Sequence, residues 1–224
     1  MIISTNRVFV VVSVIVVFGL LGMYMNQKNI IDQSHKCGRV IILNGPSAAG
    51  KSSIIRAFQA KKVEPWLGIG IDNFFIGVLP SKFYLEDKPE HHVVMRGVAT
   101  EDEQGKLFTL SIGEQGQKII RGMHGAIAAY ACVGNNVIVD YIMYDPTWHA
   151  HLMASLSGIP VITVGINASL PVIEEREKSR ATSPQGHARS MYTTVHFGWD
   201  YDLMIDTDEI TPDEIADKII DYIK

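Results

Sequence analysis

Eight consecutive residues carry the clearest chemistry in the chain. Gly45-Pro46-Ser47-Ala48-Ala49-Gly50-Lys51-Ser52 fits the spacing G-x-x-x-x-G-K-[ST] at every fixed position, and Ser53 follows it. Small side chains let successive backbone N–H groups curl around phosphate oxygens. A helix beginning near Lys51 adds the positive end of its dipole. Lys51 is suited to bridging a β- and a γ-phosphate, and the Ser52 hydroxyl to holding magnesium. The expectation is a nucleoside triphosphate site with Mg2+. The loop alone does not separate a kinase from an ATPase or a GTPase.

Four further residues are candidates for what happens to the phosphate. Asp72 follows an apolar segment in "LGIGIDNFF". At the carboxyl end of a parallel strand it would face the crevice that binds the nucleotide, as a base for an incoming hydroxyl. The alternative is a cap on a helix beginning at Asn73. Asp140 ends "NNVIVDY", where an acid supports magnesium together with Ser52, or else closes a turn. Arg176 and Arg180 are four apart in "EEREKSR", on one helical face. Their guanidinium groups would spread transition-state charge, unless the run is a solvated charged face. Arg189, past the breaker "TSPQG", could join them. The histidines, His124, His149, His151, His187 and His196 among them, show no metal spacing and read as surface or packing residues.

The elements that must position these residues alternate strand with helix, the pattern of a parallel sheet covered by helices. Strands are expected at Val40–Leu43, Leu67–Ile71, Asn136–Val139, Ile159–Ile166 and Leu203–Ile205. Helices are expected at Lys51–Lys62, Glu114–Val133, Pro146–Ser157, Leu170–Arg180, Gly186–His196 and Thr211–Ile223. The last opens "TPDE", with Thr as N-cap and Pro at the first position. Residues 81–113 break the pattern. They read as a substrate-covering insertion or a small hairpin, with "EDEQGKLFTL" as turn then strand.

The chain has 224 residues and a net charge of −4, which gives no basic field for nucleic acid. Its two cysteines, Cys37 and Cys132, form no framework and read as free thiols. "VFVVVSVIVVFGLLGMYM", Val8 to Met25, is uncharged and just long enough for one bilayer crossing. With no small-x-small cleavage site after it, residues 1–37 read as an uncleaved anchor and tether. Basic residues beyond the run place the part C-terminal to it, 38–224, in the cytoplasm. The alternative is export after signal cleavage.

Taken together, "RVIILNGPSAAGKSSIIRAFQ", "EPWLGIGIDNF", "GNNVIVDYIMYD", "VITVGINASLPVIEEREKSR" and "VHFGWDYDLMIDTDEITPDEIAD" resemble the chloramphenicol phosphotransferase-like family of P-loop kinases. The resemblance implies a parallel sheet between helices, ATP and magnesium as cofactors, and transfer to a small-molecule hydroxyl. Carried over by position, it puts the catalytic base on Asp72, the phosphate loop on Gly45 to Ser53, and the lid arginines on Arg176 and Arg180. The chain departs from the family where Tyr141, not a second acid, follows Asp140. It also carries "RATSPQGHAR" in place of a basic, Gly-containing lid.

The expected function is ATP-dependent phosphorylation of a small-molecule hydroxyl by an α/β P-loop fold of about five strands, preceded by a hydrophobic helix. Two alternatives remain at this point. One is a membrane-tethered nucleotide-binding module that transfers nothing. The other is a kinase for a nucleoside, sugar or protein hydroxyl.

Overall fold

The computed structural model describes residues 36–79, 94–103, 105–180 and 183–224. Five strands form one parallel sheet: β1 (Val40–Asn44), β2 (Trp66–Gly70), β5 (Asn136–Tyr141), β6 (Val161–Asn167) and β7 (Leu203–Asp206). Their order is β2-β5-β1-β6-β7. A central parallel strand is covered on both faces, so it must be apolar throughout. β1 meets this requirement, with all five residues buried.

Alternation along β1 assigns the two faces. Val40 and Ile42 pack toward α3 (Glu114–Cys132) and α4 (Thr147–Ser155), against Ile120, Met123, Ile127, Trp148 and Leu152. Ile41 and Leu43 pack toward α1 (Lys51–Lys61) and α7 (Pro212–Tyr222), against Ile54, Phe58, Ile215 and Ile219. Thr211 caps α7 as expected: it accepts from Glu214 N, and Glu214 reaches back to Thr211 N at 2.8 Å.

The expected strands and long helices recur within a few residues. β2 differs in a way that matters. It ends at Gly70, and Ile71 opens α2 (Ile71–Phe75). Gly70 N donates to Asn73 Oδ1 at 2.6 Å, so Asn73 fastens the start of this turn. Helix character after Gly186 is also shorter than expected, confined to α6 (His187–Met191), while α5 covers Leu170–Lys178.

Within 81–113, the described residues from 94 onward contain the hairpin that was one of the two expectations. β3 (Met95–Asp102) and β4 (Gly105–Ile112) pair antiparallel, Met95 opposite Ile112.

The membrane placement is corrected. Among the described residues, no helix is long and apolar enough to cross a membrane. Even the longest, α3, carries Glu114, Lys118 and Arg121, and buries one stripe against the sheet. The hydrophobic run 8–25, on which the single-pass expectation rested, lies outside the described residues.

Candidate active site

The register of the sheet explains why the chemistry converges. Asp140 stands opposite Leu43 of β1 on one side and Gly70 of β2 on the other. Two residues beyond Leu43 begins the phosphate loop; two beyond Gly70 is Asp72. All three segments leave the sheet at its carboxyl edge.

The loop is shaped by close approach. A Cβ on Gly45 would meet Ile166 O at 2.0 Å, so only glycine passes over β6 there. Ala48 (φ 63°) and Gly50 (φ 96°) are both left-handed, which turns the chain back on itself. α1 then starts at Lys51 with no side-chain cap and no acid in its first turn. Its positive end is therefore left uncompensated toward the loop.

Lys51 is buried, 4 % exposed, and folded back on the loop. Nζ donates to Gly45 O and Pro46 O, each at 2.8 Å, and lies 3.6 Å from Asp140 Oδ1. Burial draws its pKa below the usual lysine value; Asp140 opposes this and Arg180 adds to it. Ser52 Oγ donates to Asp140 Oδ2 at 2.5 Å. A hydroxyl and a carboxylate converging beside a phosphate loop are the oxygen donors a hard cation such as Mg2+ takes.

Asp72 lies in the first turn of α2; its backbone carbonyl accepts from Ile76 N and Gly77 N, while its carboxylate has no hydrogen-bond or ion-pair partner among the described residues. Asn73 does the capping that Asp72 was the alternative candidate for. Asp72 lines a cavity of about 400 Å³ with Lys51, Ser52, Asp140 and Arg180. Its carboxyl is raised above the ordinary 3.8, first by loss of water around it and then by the Asp140 carboxylate; Lys51 and Arg180 pull the other way. An unpaired carboxylate with a raised pKa is suited to accepting a proton near neutral pH.

Arg176 and Arg180 both line a cavity beside the loop, with Ala49, Ser53, Ile210 and Pro212. Arg180, which is exposed, also lines the cavity that holds Asp72. Arg176 is tied to Thr207, donating to its Oγ1 at 2.9 Å and its O at 2.7 Å. Arg189 does not join either. It is buried and donates to Gly105 O and Lys106 O, both at 2.6 Å, at the turn of the hairpin.

A third cavity, about 270 Å³, shares Ser47, Ile71, Asp72, Ile142 and Arg180 with the first. Phe75, Met95, Phe108, Leu110, Ile112 and Pro184 make most of its remaining wall apolar, so the hairpin forms one side of it. Tyr144 and His187 supply the polar atoms opposite. Reasoning from sequence missed both. Tyr144 carried a weak signal, four residues past Asp140 at the carboxyl edge of the sheet. His187 carried none.

The family described as chloramphenicol phosphotransferase-like protein matches residues 38–224. The chain belongs to that family. A relative from Mycobacterium tuberculosis, provisionally named an O-phosphotransferase, is 31% identical over 183 residues, covering 81% of this chain and 80% of its own. Among solved structures, the APS kinase of Mycobacterium tuberculosis in complex with AMPPNP and APS aligns with TM-score 0.57 at 18% identity, over 84% of this chain and 98% of that one. A gluconokinase from Sinorhizobium meliloti 1021 aligns with TM-score 0.54 at 16% identity, over 84% and 93%. The structural likenesses establish a P-loop kinase fold. Family membership adds the coarse activity, that of a kinase-type phosphotransferase.

Proposed function

We propose that this member of the family transfers the γ-phosphate of ATP to a hydroxyl of a small molecule with an apolar body. The observation that carries the reading is Asp72: an unpaired carboxylate shared by the phosphate-loop cavity and the apolar cavity beside it.

In this reading the loop from Gly45 to Ser53 cradles the β- and γ-phosphates, and Lys51 swings from the loop carbonyls to the phosphate oxygens. The adenine of ATP lies in the second cavity, against Arg176 and Thr207. Ser52 and Asp140 would hold Mg2+, which neutralises phosphate charge when bound. The acceptor enters from the hairpin side, under a cover that includes β3 and β4. Asp72 orients its hydroxyl and takes the proton as the oxygen–phosphorus bond forms and the bond to the leaving ADP oxygen breaks. Arg180 faces both compartments and stabilises charge on the transferring group. Residues 38–224 then carry the catalytic domain. Most of the rate enhancement is positioning and charge stabilisation.

The test is incubation with γ-labelled ATP, Mg2+ and a panel of chloramphenicol, aryl alcohols, nucleosides and sugars. Labelled product from an alcohol supports the reading. ATP bound without transfer to any acceptor would favour a nucleotide-binding module that transfers nothing.

A further inference from the structure

The segment "VHFGWDY", Val195 to Tyr201, lies far from the phosphate loop in sequence and lines none of the three cavities around it. It nevertheless converges on Asn44, the last residue of β1 and the one that leads into Gly45. Asn44 is fully buried. Its Nδ2 donates to Val195 O at 2.8 Å and to Tyr201 Oη at 2.6 Å, and its Oδ1 accepts from Met143 N at 3.2 Å. A backbone N–H can only donate and a backbone carbonyl only accept, so these partners fix which way the amide points. The root of the loop is thereby joined to the chain just past β5 and to the segment after α6.

Tyr201 is itself fastened. Its hydroxyl takes a hydrogen from Asn44 and gives its own to His196 Nδ1 at 2.8 Å. Burial, and then the Lys51 ammonium, hold the imidazole below its usual pKa, which leaves that nitrogen able to accept. The Tyr201 ring stacks on Trp199 at 5°, with centroids 5.3 Å apart. Trp199 Nε1 donates to Met143 Sδ at 3.0 Å, which closes the circuit on the residue that holds Asn44 Oδ1. Beside Tyr201, Asp202 Oδ2 accepts from Thr163 N of β6 at 2.8 Å. Tyr201 reaches Asn44 across Gly165, its partner on β6, where a Cβ would meet the Tyr201 ring at 2.8 Å.

We infer that Asn44 is a positioning residue for the phosphate loop, and that Val195–Tyr201 is the strut that sets its place. The inference goes beyond the transferase reading and rests on one part of it, that the loop cradles a triphosphate. Two side chains tie the loop at its root. One is Lys51, whose Nζ holds the carbonyls of Gly45 and Pro46. That tie is released when Lys51 moves to the phosphate oxygens. The other is Asn44, whose partners are all protein groups and stay in place. With nucleotide bound, Asn44 is the one of the two that still fixes where Gly45 leaves β1. Hydrogen bonds weaken steeply with misalignment, so a small shift of the loop is felt at the β- and γ-phosphates.

The experiment titrates the full chain with AMPPNP and with AMP, in the presence of Mg2+, by calorimetry. AMP lacks the β- and γ-phosphates and reports the rest of the nucleotide site. Asn44→Leu should weaken AMPPNP binding by about tenfold or more, and Tyr201→Phe, which keeps the ring on Trp199, by about threefold, the scale of one or more buried hydrogen bonds. AMP affinity should move by less than about twofold in both, since the root of the loop serves the phosphates that AMP lacks. Arg39→Ala removes the bond to Ile223 O and the contact with Trp66 at the opposite end of β1. It should lower Tm and leave the ratio of AMPPNP to AMP affinity in place, as a merely structural loss does. Where Asn44→Leu does not fold, Tyr201→Phe decides. A ratio unmoved by Tyr201→Phe or by folded Asn44→Leu, or one lowered as far by Arg39→Ala, overturns the inference and leaves the phosphate cradle standing. AMPPNP and AMP weakened in step by Asn44→Leu or Tyr201→Phe also overturns it. A wild type that binds AMPPNP no more tightly than AMP removes the cradle itself, and the transferase reading with it.

Discussion

Asp72→Asn removes a charge and a basic site while keeping the shape of the side chain. A positioned general base contributes on the order of 10²- to 10⁴-fold to a rate, which is about 3–5 kcal/mol of barrier. The carboxyl is unpaired, and its pKa is raised by burial and by Asp140, so transfer should fall by at least 10²-fold. Nucleotide affinity should move the other way or not at all. Asp72 stands with Asp140 beside the site for a polyanion, and removing one carboxylate relieves repulsion worth about 1 kcal/mol at most in a solvated cleft. Single-turnover transfer from labelled ATP and calorimetric titration with AMPPNP separate the two effects. The pH profile adds a second check. The basic form of Asp72 grows as pH rises through its raised pKa, so the wild type should show an acid limb in kcat/KM above 3.8 that the variant lacks. Stability has the opposite sense. A raised folded pKa means the native state holds the proton more tightly, and that contribution is lost as pH rises from 3.8 through the folded value. Asp72→Asn should consequently raise Tm at pH 7, by about 1–2 °C once solvent exposure is discounted. A transfer loss below tenfold, or an AMPPNP affinity that falls in step with transfer, would refute the assignment of Asp72 as base.

Other residues give separable outcomes. Lys51→Ala should lose both nucleotide affinity and transfer, tenfold or more in the AMPPNP dissociation constant by calorimetry, because Nζ is the cation nearest the phosphate loop. Glu177→Ala leaves the N–H groups of Gly186 and Ala188 without their acceptor; at about 1–3 kcal/mol for each buried donor, a loss of about 3 kcal/mol should lower Tm by about 6–12 °C in a thermal scan. His124 is fully buried between Tyr141 and His151, and burial first, then His151, brings its pKa down from 6.5 to about 4. The unfolded chain therefore binds the extra proton between those values, and denaturant titrations should show stability falling by about 3 kcal/mol as pH drops from 6.5 to 4, a slope that His124→Gln flattens.

How much of this was legible in the sequence follows from what each residue depends on. The phosphate loop was readable because its function is local: small residues, a strand before and a helix after are all contiguous in the chain. The placement of Asp140 was nearly as readable, since an acid at the end of an apolar strand in a parallel sheet has few places to point. Asp72 was ambiguous from sequence because the same position suits a base or a cap. The observation that bears on the capping alternative is a neighbour's hydrogen bond, Gly70 N to Asn73 Oδ1, that spacing does not reveal. Arg176 and Arg180 share a helical face, which suggested a shared task; α5 ends at Lys178, both side chains line the cavity beside the loop, and only Arg180 of the two also reaches the cavity of Asp72. The acceptor wall was the least readable part. It is assembled from a hairpin and a segment beginning more than seventy residues later, joined through Arg189 to backbone carbonyls, and backbone carbonyls leave no trace in residue identity. Glu177 shows the same limit, since a charged residue in "EEREKSR" serves a solvated face or a buried anchor equally well until the chain folds over it. The phosphate loop is thus written in contiguous residues, and the apolar cavity beside it in contacts between distant ones.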